Sequence, residues 1–246
     1  NYIGFSAFIH CAGLTSINIT DSVTTIEHLA FFYCFSLESI TIPSKVTFIG
    51  NYTFSECESL KSIYIPDSVT SIGFNSFSKC TSLANVTIGE NVTSINKYAF
   101  MECSSLTSIV IPNSVTSIND AAFECCISLT NITLSENITT ISLSLFSGCE
   151  KLRYINIPGK VAYIEHKAFI SCISLESIII PDSVTYMGQY VFYNCSSLAS
   201  ITLSKNLESI RDFSFAGCEA LTSIDIPDSV TSIGEGALYY CTGLTT

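Results

Sequence analysis

The chain is short of charge, and of positive charge above all. Only 13% of its 246 residues are Asp, Glu, Lys or Arg, and 10 basic residues stand against 21 acidic ones, a net charge of −11. That surplus opposes the phosphate neutralisation on which nucleic-acid binding depends and is repelled by anionic lipid surfaces. Nucleic acid is therefore not expected as a partner. No stretch approaches the roughly 18 uninterrupted apolar residues of a membrane span, so no direct membrane insertion by this segment is expected. At 48% hydrophobic residues the chain is nonetheless far too apolar to stay disordered.

Groupings that carry chemistry are also missing. Twelve cysteines are present, yet no C-x-x-C or Cys–His spacing recurs, so no metal site is expected. The histidines His10, His28 and His166 lie far apart, with no HExxH, no acidic partner at ligand spacing and no nucleophile elbow. Asp67, Asp182 and Asp228 follow a recurrent proline slot and read as turn formers rather than as paired catalytic carboxylates. An active site needs dissimilar groups converging in one place, whereas this chain sets similar groups at regular intervals. The expectation is a non-enzymatic protein without cofactors.

What the chain does have is a repeat. From Cys11 a cysteine recurs at 34, 57, 80, 103, 126, 149, 172, 195, 218 and 241, an unvarying interval of 23 residues. Self-similarity at a fixed period marks a solenoid. Leu follows each of these cysteines three residues on, from Leu14 to Leu244. Apolar residues then alternate, as in Ile63 and Ile65 or Ile224 and Ile226, which reads as a strand with one buried face. All six prolines, Pro43, Pro66, Pro112, Pro158, Pro181 and Pro227, occupy the next slot, where a residue without an N–H ends the ladder. A second, shorter extended segment runs from a Val-like slot to an Ile or Met slot, from Val23 and Ile26 to Val230 and Ile233. Gly4, Gly50, Gly73, Gly188 and Gly234 share the position after it, with Asn96 and Asn119, which predicts a positive φ at a bend. Ala, Phe, Cys and Leu finally fall at i, i+1, i+4 and i+7, which predicts one face of a short helix.

The resulting pattern, C-x-x-L-x-x-I-x-I-P-x-x-V-x-x-I-G-x-x-A-F-x-x, resembles the BspA-like class of leucine-rich repeat, over all ten complete units. The resemblance implies a right-handed leucine-rich-repeat solenoid of about ten and a half repeats, one domain spanning residues 1–246. Parallel strands would lie on the concave side, with the short extended segment and the short helix on the convex side. It also implies a surface antigen or adhesin, at a cell surface or secreted, whose partner is a protein or glycan of a host, a matrix or a neighbouring cell. Asn1 and Thr246 both fall inside a repeat, so the sequence reads as a fragment without caps. An uncapped solenoid offers an alternative function, a structural array self-associating through its ends or sides.

The ladder cysteines read as packing residues, because free Cys behaves as a small hydrophobe and parallel stacking points successive Cβ–Sγ vectors the same way. Cys125 alone stands outside the ladder, and it is expected to be exposed and the most reactive thiol. Sequons at Asn18, Asn51, Asn85, Asn91, Asn131 and Asn137 are candidate glycosylation sites, while Asn194 precedes a buried-slot cysteine. Candidate binding residues are those that break the Ser/Thr rule of the surface. On the outward strand face these are Tyr64, Arg153, Tyr154, Asn156 and Ile179, bulky and locally basic on an acidic molecule. A second patch on the opposite side comprises Lys160, Tyr163, His166, Lys167, Tyr186 and Tyr190.

Overall fold

Inter-coil register determines the architecture. The computed structural model describes residues 1–245 as a continuous stack of coils in which paired strands lie parallel at an offset of 23 residues, as in Ser62↔Asn85 through Ile65↔Ile88. A second ladder of two-residue strands runs alongside the first, with Phe48–Ile49, Ser71–Ile72, Ser94–Ile95 and Ser117–Ile118 forming one parallel sheet. A short parallel strand buries alternate residues, so Ile63 and Ile65 point inward while Ser62 and Tyr64 face solvent. Between the two ladders the proline carbonyl closes a tight turn, accepting the amide of Val69 from Pro66 and of Val115 from Pro112 at 3.0 Å each. Asp67 and Asp182 serve that turn, their Oδ1 atoms accepting the amides of Glu90 and Lys205 in the next coil at 2.9 Å.

The core is a set of ladders. Phe31 through Phe215 are fully buried at intervals of 23, and with Phe8 their rings stack nearly parallel, centroids 5.0 to 6.1 Å apart. Each such pair contributes about 0.5–1.5 kcal/mol beyond the area it buries. Beside them run the cysteines, all free thiols, nine of them buried.

Where a helix was expected, each coil instead makes a six-residue run of turns. The i, i+1, i+4, i+7 residues do face inward, with Ala99, Phe100, Cys103 and Leu106 fully buried. A helix would commit every N–H to its own coil, and here half of them are spent on the next one. The amides of Asn75, Phe77 and Lys79 donate to the carbonyls of Lys97, Ala99 and Met101, at 3.1, 2.8 and 2.7 Å. Those of Ser76, Ser78 and Cys80 donate within the coil to Gly73, Asn75 and Phe77. Alternation of this kind requires a left-handed residue on either side of the phenylalanine, such as Asn75 and Lys79, or Tyr52 and Glu56, all with φ between 52° and 62°.

Two further expectations are corrected. The glycines after the second strand have no positive φ. From Gly50 on, their slot is instead a close approach between coils, since a Cβ on Gly73 would lie 2.6 Å from the backbone of Gly50, and one on Gly188 2.5 Å from the amide of His166. Nor does every repeat contribute a first strand, because residues 152–158 and 219–227 contain none.

Candidate functional site

The first-strand ladder is interrupted at defined places, and these shape the outward face. Its strands pair two by two: Ser62–Ile65 with Asn85–Ile88, Ser108–Val110 with Asn131–Thr133, and Ser177–Ile179 with Ser200–Thr202. Between Asn85–Ile88 and Ser108–Val110 there is no pairing. At the same boundary the Ser114 hydroxyl is buried without a partner, although Ser68, Ser183 and Ser229 in that slot donate to the carbonyls of Val46, Val161 and Leu207. The turn side stays closed here, with Phe77 stacked on Phe100 at 5.3 Å. The two coils are therefore unpaired on the strand side while stacked on the turn side.

A larger interruption spans the coil that starts at Cys149. Among the described residues, no backbone hydrogen bond involves Tyr154, Ile155, Asn156 or Ile157. Leu145 lies fully buried in a slot filled by Ala99, Ala122 and Ala168 in nearby coils. The larger side chain holds this boundary apart: the Phe123–Phe146 centroids are 6.1 Å apart and the Phe123 amide reaches Leu145 at 3.2 Å, against 2.8 Å from Phe100 to Ala122. Each interruption opens a shallow cleft, of about 320 Å³ beside Asn85 and Val110 and about 420 Å³ beside Asn131, Tyr154 and Ile179.

On this face Tyr64 and Tyr154 are each 56% exposed, Ile179 is 68% exposed and Asn156 is exposed. Tyr154, Asn156 and Ile179 line one cleft, whereas Tyr64 lies four coils before Asn156 and does not join them. Val110, 64% exposed, belongs to the same outward row and was missed by sequence reasoning, since a lone valine at a strand position looks ordinary. Glu176 was missed too. Its Oε1 pairs with Arg153 Nη2 at 2.7 Å and its Oε2 accepts the Tyr154 phenol, which raises the phenol's pKa. The expected local basicity is thus neutralised, and what remains is a clamped, oriented Tyr ring. The signal was available, for Glu176 stands 23 residues after Arg153 and hence directly over it.

The second patch divides in two. Tyr163 and Tyr186 are neighbours in register, centroids 6.4 Å apart, and Arg211 stacks over Tyr186 at 4.6 Å. His166 Nδ1 accepts the Gln189 amide at 3.0 Å, so the ring hydrogen sits on Nε2, 3.1 Å from the Tyr186 hydroxyl. Tyr190 stacks instead on Phe213 at 5.2 Å, Lys160 reaches Asn137 Oδ1 at 2.7 Å, and Lys167 is exposed. Most of these side chains are already engaged across coils.

Cys125 is half-buried rather than exposed. Burial, then the carboxylates of Glu124, Glu102 and Glu150, push its thiol up, which makes it less reactive than a free cysteine. Of the sequons, Asn18, Asn51, Asn85, Asn91 and Asn131 are exposed and Asn137 is half-buried. Asn91 and Asn137 spend the Nδ2 that would carry a glycan, donating to the carbonyls of Asp67 and Asn113 at 2.9 and 2.7 Å. Among the described residues no three of His, Cys, Asp and Glu converge as metal ligands would.

Comparison with known families decides the class. The BspA type Leucine rich repeat region, in six copies, matches residues 1–129 and 116–245. The chain belongs to the BspA-type leucine-rich-repeat family. Solved structures of bacterial leucine-rich repeat proteins are similar to it over its whole length. One from Bacteroides ovatus is 33% identical over 99% of this chain and 69% of its own, with a TM-score of 0.66. A leucine rich cell surface protein from Faecalibacterium prausnitzii is 33% identical over 99% of this chain and 75% of its own, TM-score 0.61. The pneumococcal vaccine antigen PcpA, 20% identical over 94% of this chain and 61% of its own, shares the fold, TM-score 0.67. A search of curated proteins finds no match. Like its BspA-type relatives the chain is a repeat scaffold, and among its described residues no helix is long and apolar enough to cross a membrane.

Proposed function

We propose that this BspA-type solenoid is a non-enzymatic recognition scaffold displayed at a cell surface, mediating adhesion to a protein or glycan of a host, a matrix or a neighbouring cell through its strand face. The observation that carries the reading is the exposed cluster of Tyr154, Asn156 and Ile179 around a cleft, on a face whose outward slots are mostly small polar residues. Packing gives no reason for large apolar groups there, because they point away from a core that the same strands fill with Ile. Tyr154 is held in place by Glu176, so little conformational entropy remains to be lost on contact. Aromatic residues fixed in this way tend to dominate interface energy. The surface-protein description of the F. prausnitzii relative supports display outside the cell.

The test is capture of extracellular-matrix proteins and arrayed glycans by the purified chain, repeated with Arg153, Tyr154 and Ile179 all replaced by Ser. Loss of capture with unchanged melting supports the strand face. Unchanged capture removes it, and the cluster of Tyr163 and Tyr186 becomes the next surface to test.

A further inference from the structure

The two clefts of the strand face share one repeated wall, offset by two coils. Asn85 and Asn131 occupy the same slot, as do Thr87 and Thr133, and Glu90 and Glu136. On that wall each cleft carries an amide, a hydroxyl and a carboxylate at the same slots, and the facing wall differs, with Val110 in one and Tyr154, Asn156 and Ile179 in the other. Two coils span about 10 Å along the stack, the length of one disaccharide in an extended linear glycan.

We infer that this face binds a neutral, linear glycan laid along the solenoid axis, with successive disaccharides seated in the two clefts. An amide both donates and accepts, which suits hydroxyls that do the same, and a carboxylate accepts from two adjacent hydroxyls. The C–H faces of sugar rings are apolar and fit the exposed ring of Tyr154 and the side chains of Val110 and Ile179. A peptide fits less well. An extended peptide lying along that axis runs across the strands rather than beside one, so it cannot extend the sheet, and neither cleft is a closed pocket for a side-chain anchor. Glu90, Glu136 and the net charge of −11 repel sulfated or uronic chains, and Arg153, paired with Glu176, does not compensate. The inference rests on the strand-face reading above and narrows it to one ligand class.

Titration calorimetry with neutral linear oligosaccharides of glucose, mannose and N-acetylglucosamine, two, four and six sugars long, tests it on chain made in a bacterial host, where the sequon residues Asn85 and Asn131 stay unmodified. Affinity in at least one series should rise tenfold or more from two sugars to four, because the second cleft is then filled at high effective concentration. Asn85→Ala and Asn131→Ala should each return the tetrasaccharide to disaccharide affinity without shifting the melting temperature. Absence of binding in every series, or binding independent of length, overturns the glycan assignment. If no glycan binds and the Arg153, Tyr154 and Ile179 triple-Ser variant still loses a protein partner, the strand face stands and only the ligand class falls.

Discussion

The thiol of Cys80 donates to the carbonyl of Phe54 in the preceding coil at 3.1 Å, and that same carbonyl accepts the backbone amide of Cys57 at 3.1 Å. The pairing recurs from Cys34 on Phe8 to Cys241 on Phe215. From Cys34 on, each ladder cysteine is thus a small apolar residue that also contributes one bond to the preceding coil. Native protein should accordingly expose only Cys11, Cys125 and Cys241, the half-buried ones, to a thiol reagent. Counting labelled sites by mass spectrometry before and after unfolding checks this; early labelling of Cys80 or Cys103 would contradict the ladder.

Buried thiols also make stability depend on pH. Burial pushes Cys34 up to about 11 and Cys57, Cys103 and Cys149 well above the usual thiol range, while the unfolded chain ionises near 8.5. Between those values the folded state holds more protons than the unfolded one, so stability falls as pH rises, by about 1.4 kcal/mol per pH unit for each such thiol. Melting temperature should be flat from about pH 6 to pH 8 and drop steeply above about pH 9. A flat profile through about pH 10.5 would mean that the thiols are not buried as a set.

The left-handed turn positions give a third expectation. Ser171 has φ 58°, and its amide is held by the carbonyl of Tyr193 at 2.8 Å. A β-branched residue is strained there by about 1–2 kcal/mol and glycine is not. Ser171→Val should therefore lower the melting temperature by several degrees, while Ser171→Gly leaves it unchanged or raises it. Equal behaviour of the two variants in thermal melts would remove the turn geometry.

Ile118 is 2% exposed and lies in the second strand ladder over Ile95. Ile118→Asp buries an unpaired charge and should cost several kcal/mol, a fall in melting temperature of about 10 °C or more. Melting within a few degrees of the parent would place the core of that segment elsewhere.

Much of the fold is legible in the sequence because every coil packs on its neighbour, so each inward slot admits one shape and Leu, Phe, Cys and Ile recur at 23-residue intervals. The turns are not legible. A helix and the observed turn present the same residues inward, and 19 of the left-handed positions carry side chains such as Tyr52 and Lys79 instead of the glycine that would have marked them. Tyr154 and Ile179 stand out on the strand face as departures from Ser and Thr. Their cleft does not, because it follows from Leu145 separating two coils and from backbone pairing that residue identities alone do not encode. Glu176 was within reach of the same 23-residue offset that revealed the repeat.

The central claim is that recognition belongs to the strand face. It is tested most directly by measuring the affinity of the parent, Tyr154→Ala and a Tyr163→Ser, Tyr186→Ser double variant for whichever matrix protein or glycan the parent captures, with melting temperature recorded for each. Tyr154→Ala should weaken binding by about 1–3 kcal/mol, a shift in Kd of roughly five- to 150-fold at unchanged melting temperature, while the double variant binds as the parent does. Unchanged affinity for Tyr154→Ala together with loss in the double variant would contradict it and move recognition to the opposite side of the solenoid.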